Sequence, residues 1–250
     1  FTLNAPDAQA GRNKHHHGHS YHSDKVPTYL MNNLDETGQD PGSPGNMWVG
    51  SGIPATNFIL RNYEYAGIEL AIKGQYRQGA DILPSNIGED GLVHVEVPAG
   101  HQIAPAVNLD RARWNFTFSY DVALDPGNPD LEDYRGYLMI DVDPSERTRY
   151  FKLKLVKLPG TPTGQASGYG WASHGVVAIP DDEGTSQVTQ NSQNLAFYED
   201  LIDADPYTPG KQSYAATDYG PGQFDVQMVL QHKYSRRKAE LHVVFDVVEP

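Results

Sequence analysis

The stretch Arg111-Ala112-Arg113-Trp114-Asn115-Phe116-Thr117-Phe118-Ser119-Tyr120-Asp121-Val122 limits the folds open to this chain more than any other. Trp114, Phe116, Phe118, Tyr120 and Val122 share one parity; Asn115, Thr117, Ser119 and Asp121 share the other. Successive side chains of a strand point to opposite faces, so the segment reads as a ribbon with an aromatic face and a polar face. Four aromatic rings, each burying roughly 150–250 Å², need a second layer over them. Most of the chain repeats the same two-residue period, so that layer is expected to be another sheet.

Further candidate strands run over 57–62, 68–76, 92–97, 137–142, 150–158 and 171–179. Ile68, Leu70 and Ile72 alternate with Glu69, Ala71 and Lys73. Val93, Val95 and Val97 alternate with His94 and Glu96 until Pro98-Ala99-Gly100 stops the run. The segments Phe224 to Tyr234 and Ala239 to Val248, joined by Ser235-Arg236-Arg237-Lys238, are expected to form an antiparallel hairpin. A helix is predicted over 185–201, with a cap at Thr185 or Ser186 and with Leu195, Phe197 and Leu201 on its apolar side. Eight or nine short strands separated by turns predict an all-β fold. The expected architecture is an antiparallel β-sandwich, Ig-like or jelly-roll-like, with one short helix and a long irregular N-terminal arm. Gly 24 and Pro 18 in 250 residues fit that many tight turns.

The arm spans residues 1–50 and the sandwich 51–250. The arm shows no strand period and is rich in Asn, Asp, Gly, Pro and His, with Tyr29, Leu30, Met31 and Leu34 as its small apolar patch. Ordering such a segment costs entropy that packing on the core, a bound ion or a neighbouring molecule must offset. The formal charge of −13 and the lack of a basic stripe argue against nucleic acid as a partner. No run of apolar residues is long enough for a membrane-spanning helix. Cys 0 removes disulfides, thiolate metal sites and cysteine nucleophiles. The chain opens at Phe1 without a signal peptide, which fits a processed, secreted protein.

Four stretches carry a family resemblance. They are Asn57-Phe58-Ile59 with Gly67-Ile68-Glu69-Leu70-Ala71, then Arg111 to Phe116, then Asp141-Val142-Asp143-Pro144-Ser145, and Gln190-Asn191-Ser192-Gln193-Asn194-Leu195. Together they resemble a group of bacterial secreted β-sandwich proteins of the PEP-CTERM-sorted type, over about residues 53 to 248. More distantly the pattern is similar to the surface copper-binding proteins of methanotrophs. That second resemblance implies Cu(I) held by two histidines and an oxidised tryptophan lying two residues before a histidine. This chain has no Trp-x-His; Trp171 and His174 are three apart, on opposite faces of a strand unless a turn brings them together.

The residues themselves point to metal chemistry at one place. His15, His16, His17, His19 and His22 fall within eight residues, and neighbouring imidazoles chelate copper or zinc without a preformed fold. The irregular spacing is unlike an expression tag. A second site is expected from His232, which shares parity with Phe224, Val226, Met228 and Leu230, together with His174. A lone inward histidine is more often a hydrogen-bonded core residue. His94 and His242 fall on the solvent parity. Calcium is a further candidate, at Asp125, Asn128, Asp130 and Asp133 or at Asp141, Asp143 and Glu146. No nucleophile elbow or phosphate loop occurs, so no enzyme is expected. The sequence therefore predicts a secreted or cell-surface metal-binding protein that is not an enzyme. The alternative is a subunit of an extracellular matrix, filament or surface layer, its arm docked on another copy of the chain.

Overall fold

The computed structural model describes residues 29–31, 57–77, 80–83, 86–102, 111–127, 129–142, 150–158, 169–173, 176–180, 186–194 and 219–249. Fourteen strands follow in chain order: β1 (Tyr29–Met31), β2 (Phe58–Tyr63), β3 (Ile68–Tyr76), β4 (Asp81–Ile82), β5 (Asn86–Ile87), β6 (Val93–Pro98), β7 (Trp114–Asp121), β8 (Tyr134–Asp141), β9 (Tyr150–Lys157), β10 (Tyr169–Ser173), β11 (Val176–Pro180), β12 (Val188–Gln193), β13 (Gly222–His232) and β14 (Lys238–Val248). Among the described residues there is no α-helix; the helical turns are the short 3-10 turns Glu64–Ala66 and Leu131–Asp133.

The strands build two sheets. One has the order β1-β2-β3-β7-β12, with β4 also paired to β3; the other runs β11-β10-β9-β8-β13-β14-β6-β5. The aromatic ribbon, β7, lies between β3 and β12. Its rings meet the second sheet as the alternation requires. Trp114 stacks on Phe245 with centroids 5.0 Å apart, and Trp171 packs edge-on to Phe118 at 5.7 Å and tilted against Tyr120 at 4.6 Å. The Tyr120 hydroxyl crosses between the sheets and donates to the Tyr137 carbonyl at 2.8 Å. The chain is an all-β sandwich.

Close approach depends on glycine at two points. A Cβ on Gly136 would lie 2.9 Å from Leu155 Cβ and 3.3 Å from the rim of the Trp171 ring. Gly67 ends the first 3-10 turn at φ +62°, and its Cβ would fall 2.4 Å from Asp125 Cα. Arg237 ties the same corner together by donating to the Ala66 carbonyl and pairing with Asp125.

The structure departs from the sequence expectations in five places. The predicted helix over 185–201 is instead a strand at Val188–Gln193, antiparallel to β7; Leu195, Phe197 and Leu201 lie outside the described residues. The single strand expected over 171–179 is two strands, β10 and β11, paired with each other. The arm, read as strandless, contributes β1, which pairs antiparallel with β2. The sheets are not wholly antiparallel, because β14 pairs with β6 in parallel. Finally, the polar face of the ribbon is covered: Thr117 and Gln190 are 0% exposed, and Glu69, Ser119 and Asp121 1%. Both faces of the first sheet are therefore buried, one apolar and one polar.

Candidate functional site

Of the histidines singled out in the sequence, His15, His16, His17, His19, His22 and His174 lie outside the described residues. His232 is described, at the end of β13. It is half-buried, with its ring edge-on to Tyr134 at 5.1 Å and to Tyr234 at 5.9 Å, and its Nδ1 accepts the Tyr234 backbone N–H at 3.2 Å. It lies beside Tyr134, a member of the core, at the end of the strand. Trp171 is 0% exposed and packed among inter-sheet rings.

The oxygen-rich loop proposed for calcium uses its carboxylates on its own backbone. Asp125 Oδ1 accepts the Gly127 N–H at 2.9 Å, and its other oxygen pairs with Arg237. Asp130 and Asp133 cap the turn between them reciprocally, an arrangement that satisfies orphan N–H groups. Asp141 is 2% exposed, while Asn128, Asp143 and Glu146 lie outside the described residues. Among the described residues, no group of three or more His, Asp or Glu side chains is placed to hold a metal ion.

The structure instead gathers chemistry where the alternation had put solvent, on the outer face of the eight-stranded sheet. The register sets His94, Val244 and Asp225 side by side on β6, β14 and β13. His94 Nδ1 lies 2.6 Å from Asp246 Oδ2, and Asp246 Oδ1 accepts the Gln223 amide at 2.8 Å. On its other side, His94 Nε2 is 3.4 Å from both carboxylate oxygens of Asp90. A second pair lies beyond Val244, with His242 Nε2 3.4 Å from Asp225 Oδ1. Partial burial opposes charge on His94, yet the hydrogen bonds and attraction from Asp246 and Asp90 outweigh it and hold the imidazole above its ordinary value. Nearby Tyr150 is pushed up to about 12 by burial and then by Asp225 and Asp141.

The sequence carries part of the signal for this site. Asp225 and Asp246 share the outward parity of His242 on the predicted hairpin, so two acids and a histidine had to meet on one face. That β6 would join β14 in parallel and bring His94 beside them could not be read from periodicity.

No family model, no curated protein and no solved structure matches the chain. Among the described residues, no helix is long and apolar enough to cross a membrane.

Proposed function

We propose that this chain is a metal-binding β-sandwich protein of the cell exterior that works without catalysis. In this reading its arm presents His15, His16, His17, His19 and His22 to copper or zinc. The observation that supports the reading is the pairing of β1 with β2, which stitches the arm to the sandwich seven residues after His22. Five histidines within eight residues mean that a first bound imidazole brings the others to high effective concentration. The resemblance to exported sandwich proteins is the ground for placing it outside the cell.

Copper and zinc titrations of the full chain test this, compared with a variant carrying alanine at His15, His16, His17, His19 and His22. Tight stoichiometric binding that falls at least tenfold in the variant is the expected result. Equal affinity in the two proteins overturns the reading.

The same strand favours a second reading, a subunit of an extracellular matrix, filament or surface layer. β1 pairs with Phe58, Ile59 and Leu60 of β2, and a strand added at a sheet edge can be donated by a neighbouring copy as well as by the chain itself. Size-exclusion chromatography and electron microscopy of a variant lacking residues 1–45 separate the two. Assembly that depends on the arm supports the subunit; assembly that survives the deletion counts against it.

A further inference from the structure

The outer face of the eight-stranded sheet carries an arrangement that the histidine arm does not explain. We propose that His94 and Asp90 form a site for one divalent transition-metal ion, zinc or copper, with Asp246 as the carboxylate that orients the imidazole from behind. The site is independent of the arm.

Three features of the geometry carry this. The first is the back of the ring. A histidine that ligates a metal through one nitrogen commonly gives its other N–H to a carboxylate, which fixes the tautomer and the ring plane. Asp246 does this at 2.6 Å and is itself held by the Gln223 amide at 2.8 Å. Nδ1 is thereby tied to Asp246, and Nε2 is the nitrogen turned toward Asp90.

The second is the gap in front of the ring. His94 Nε2 stands 3.4 Å from Asp90 Oδ1 and 3.4 Å from Oδ2. A charge-assisted hydrogen bond closes to about 2.7–2.9 Å. Two ligand atoms on a tetrahedral ion, each bonded at about 2.0–2.1 Å, are separated by about 3.3–3.4 Å. The observed spacing matches the edge of a coordination tetrahedron. Asp90 is held at that spacing by the Leu92 backbone N–H, which donates to Oδ1 at 2.9 Å.

The third is a glycine. A Cβ on Gly88 would lie 2.5 Å from His94 Nε2 and 2.6 Å from Asp90 Oδ1, so any other residue would crowd both ligand atoms at once. Asp90 is half exposed, which leaves water to complete the coordination.

The test uses the full chain with alanine at His15, His16, His17, His19 and His22, so that the arm contributes nothing. Zinc chloride is titrated by calorimetry, and copper(II) is added below one equivalent for electron paramagnetic resonance. One equivalent of zinc is expected, with a copper spectrum showing a single nitrogen ligand. His94→Gln and Asp90→Asn should each weaken zinc at least tenfold. Asp246→Asn should weaken it about tenfold through the imidazole, and Gly88→Ala should weaken it by obstruction. His242→Gln, on the same face, should leave it unchanged. Far-ultraviolet circular dichroism and urea midpoints confirm that each variant is folded. Full-strength binding in His94→Gln, or no binding at millimolar zinc, overturns the proposal. Either result leaves the arm reading to be judged by its own titration.

Discussion

Glu69 on β3 and Asp121 on β7 stand directly opposite each other on the covered polar face, and each is 1% exposed. Burial pushes the Asp121 carboxyl well above its ordinary value, and Glu69 adds to the shift against the pull of the Ala123 N–H. An unfolded aspartate titrates near 3.9. Between that pH and the raised folded value, the native state keeps a proton that the unfolded chain has lost, so stability falls as pH rises through this window. Asp121→Asn keeps an acceptor for the Ala123 N–H and removes the titration. It is expected to stabilise the protein at neutral pH by about 1 kcal/mol or more. Urea midpoints for both proteins from about pH 5 to 8 should show a shallower fall in the variant; identical slopes would refute the account.

Asn194 joins two segments that are distant in sequence. Its amide nitrogen donates to the carbonyls of Ala112 at 3.0 Å and Trp114 at 2.8 Å and to Asn115 Oδ1 at 2.8 Å, while its Oδ1 accepts the Ala112 N–H at 3.2 Å. Removing it strands buried backbone groups beside the aromatic ribbon. Asn194→Ala should cost roughly 2–4 kcal/mol, read by urea denaturation. Asn194→Asp should not rescue it, because a carboxylate cannot donate. A loss below about 1 kcal/mol would mean that water replaces the clamp.

Gly136 leaves room for the Trp171 ring edge. Gly136→Ala forces its Cβ against Leu155 and the indole, and overpacking of this kind costs about 1–3 kcal/mol. Because the indole must shift, the tryptophan emission should change along with the unfolding midpoint. A neutral substitution would show that β9 slides to absorb the methyl group.

Metal removal should leave the sandwich standing. Trp114, Phe118, Trp171 and Phe245 form an apolar core, so a chelator is expected to abolish binding while the chain still unfolds in one cooperative transition. Loss of that transition on chelation would show that an ion holds the fold together.

The alternation made most of this fold legible. β7 and the β13–β14 hairpin lie where apolar side chains occupy every second position, and their inward residues form the core. β12 was illegible for a physical reason. Its side chains, Val188-Thr189-Gln190-Asn191-Ser192-Gln193, are almost all polar on both faces; on the outward one, Thr117 Oγ1 donates to Ser192 Oγ at 3.0 Å within the covered polar surface. Polar side chains satisfied by one another leave no hydrophobic period, and the distant Leu195, Phe197 and Leu201 imitated a helix. The pairing of His94 with Asp246 depends on two strands about 150 residues apart in sequence, a register that no local pattern encodes. Residues 15–22 declare their chemistry by composition alone.

The last described strand is inserted between β13 and β6, well away from either border of its sheet. A ribosome releases β6 long before β14, so the β5–β6 segment must wait for this neighbour until β7 to β13 have emerged. During that interval Val93, Val95 and Val97 lack the strand that pairs beside them, and this is when a nascent chain of this kind is most exposed to proteases and most in need of a chaperone.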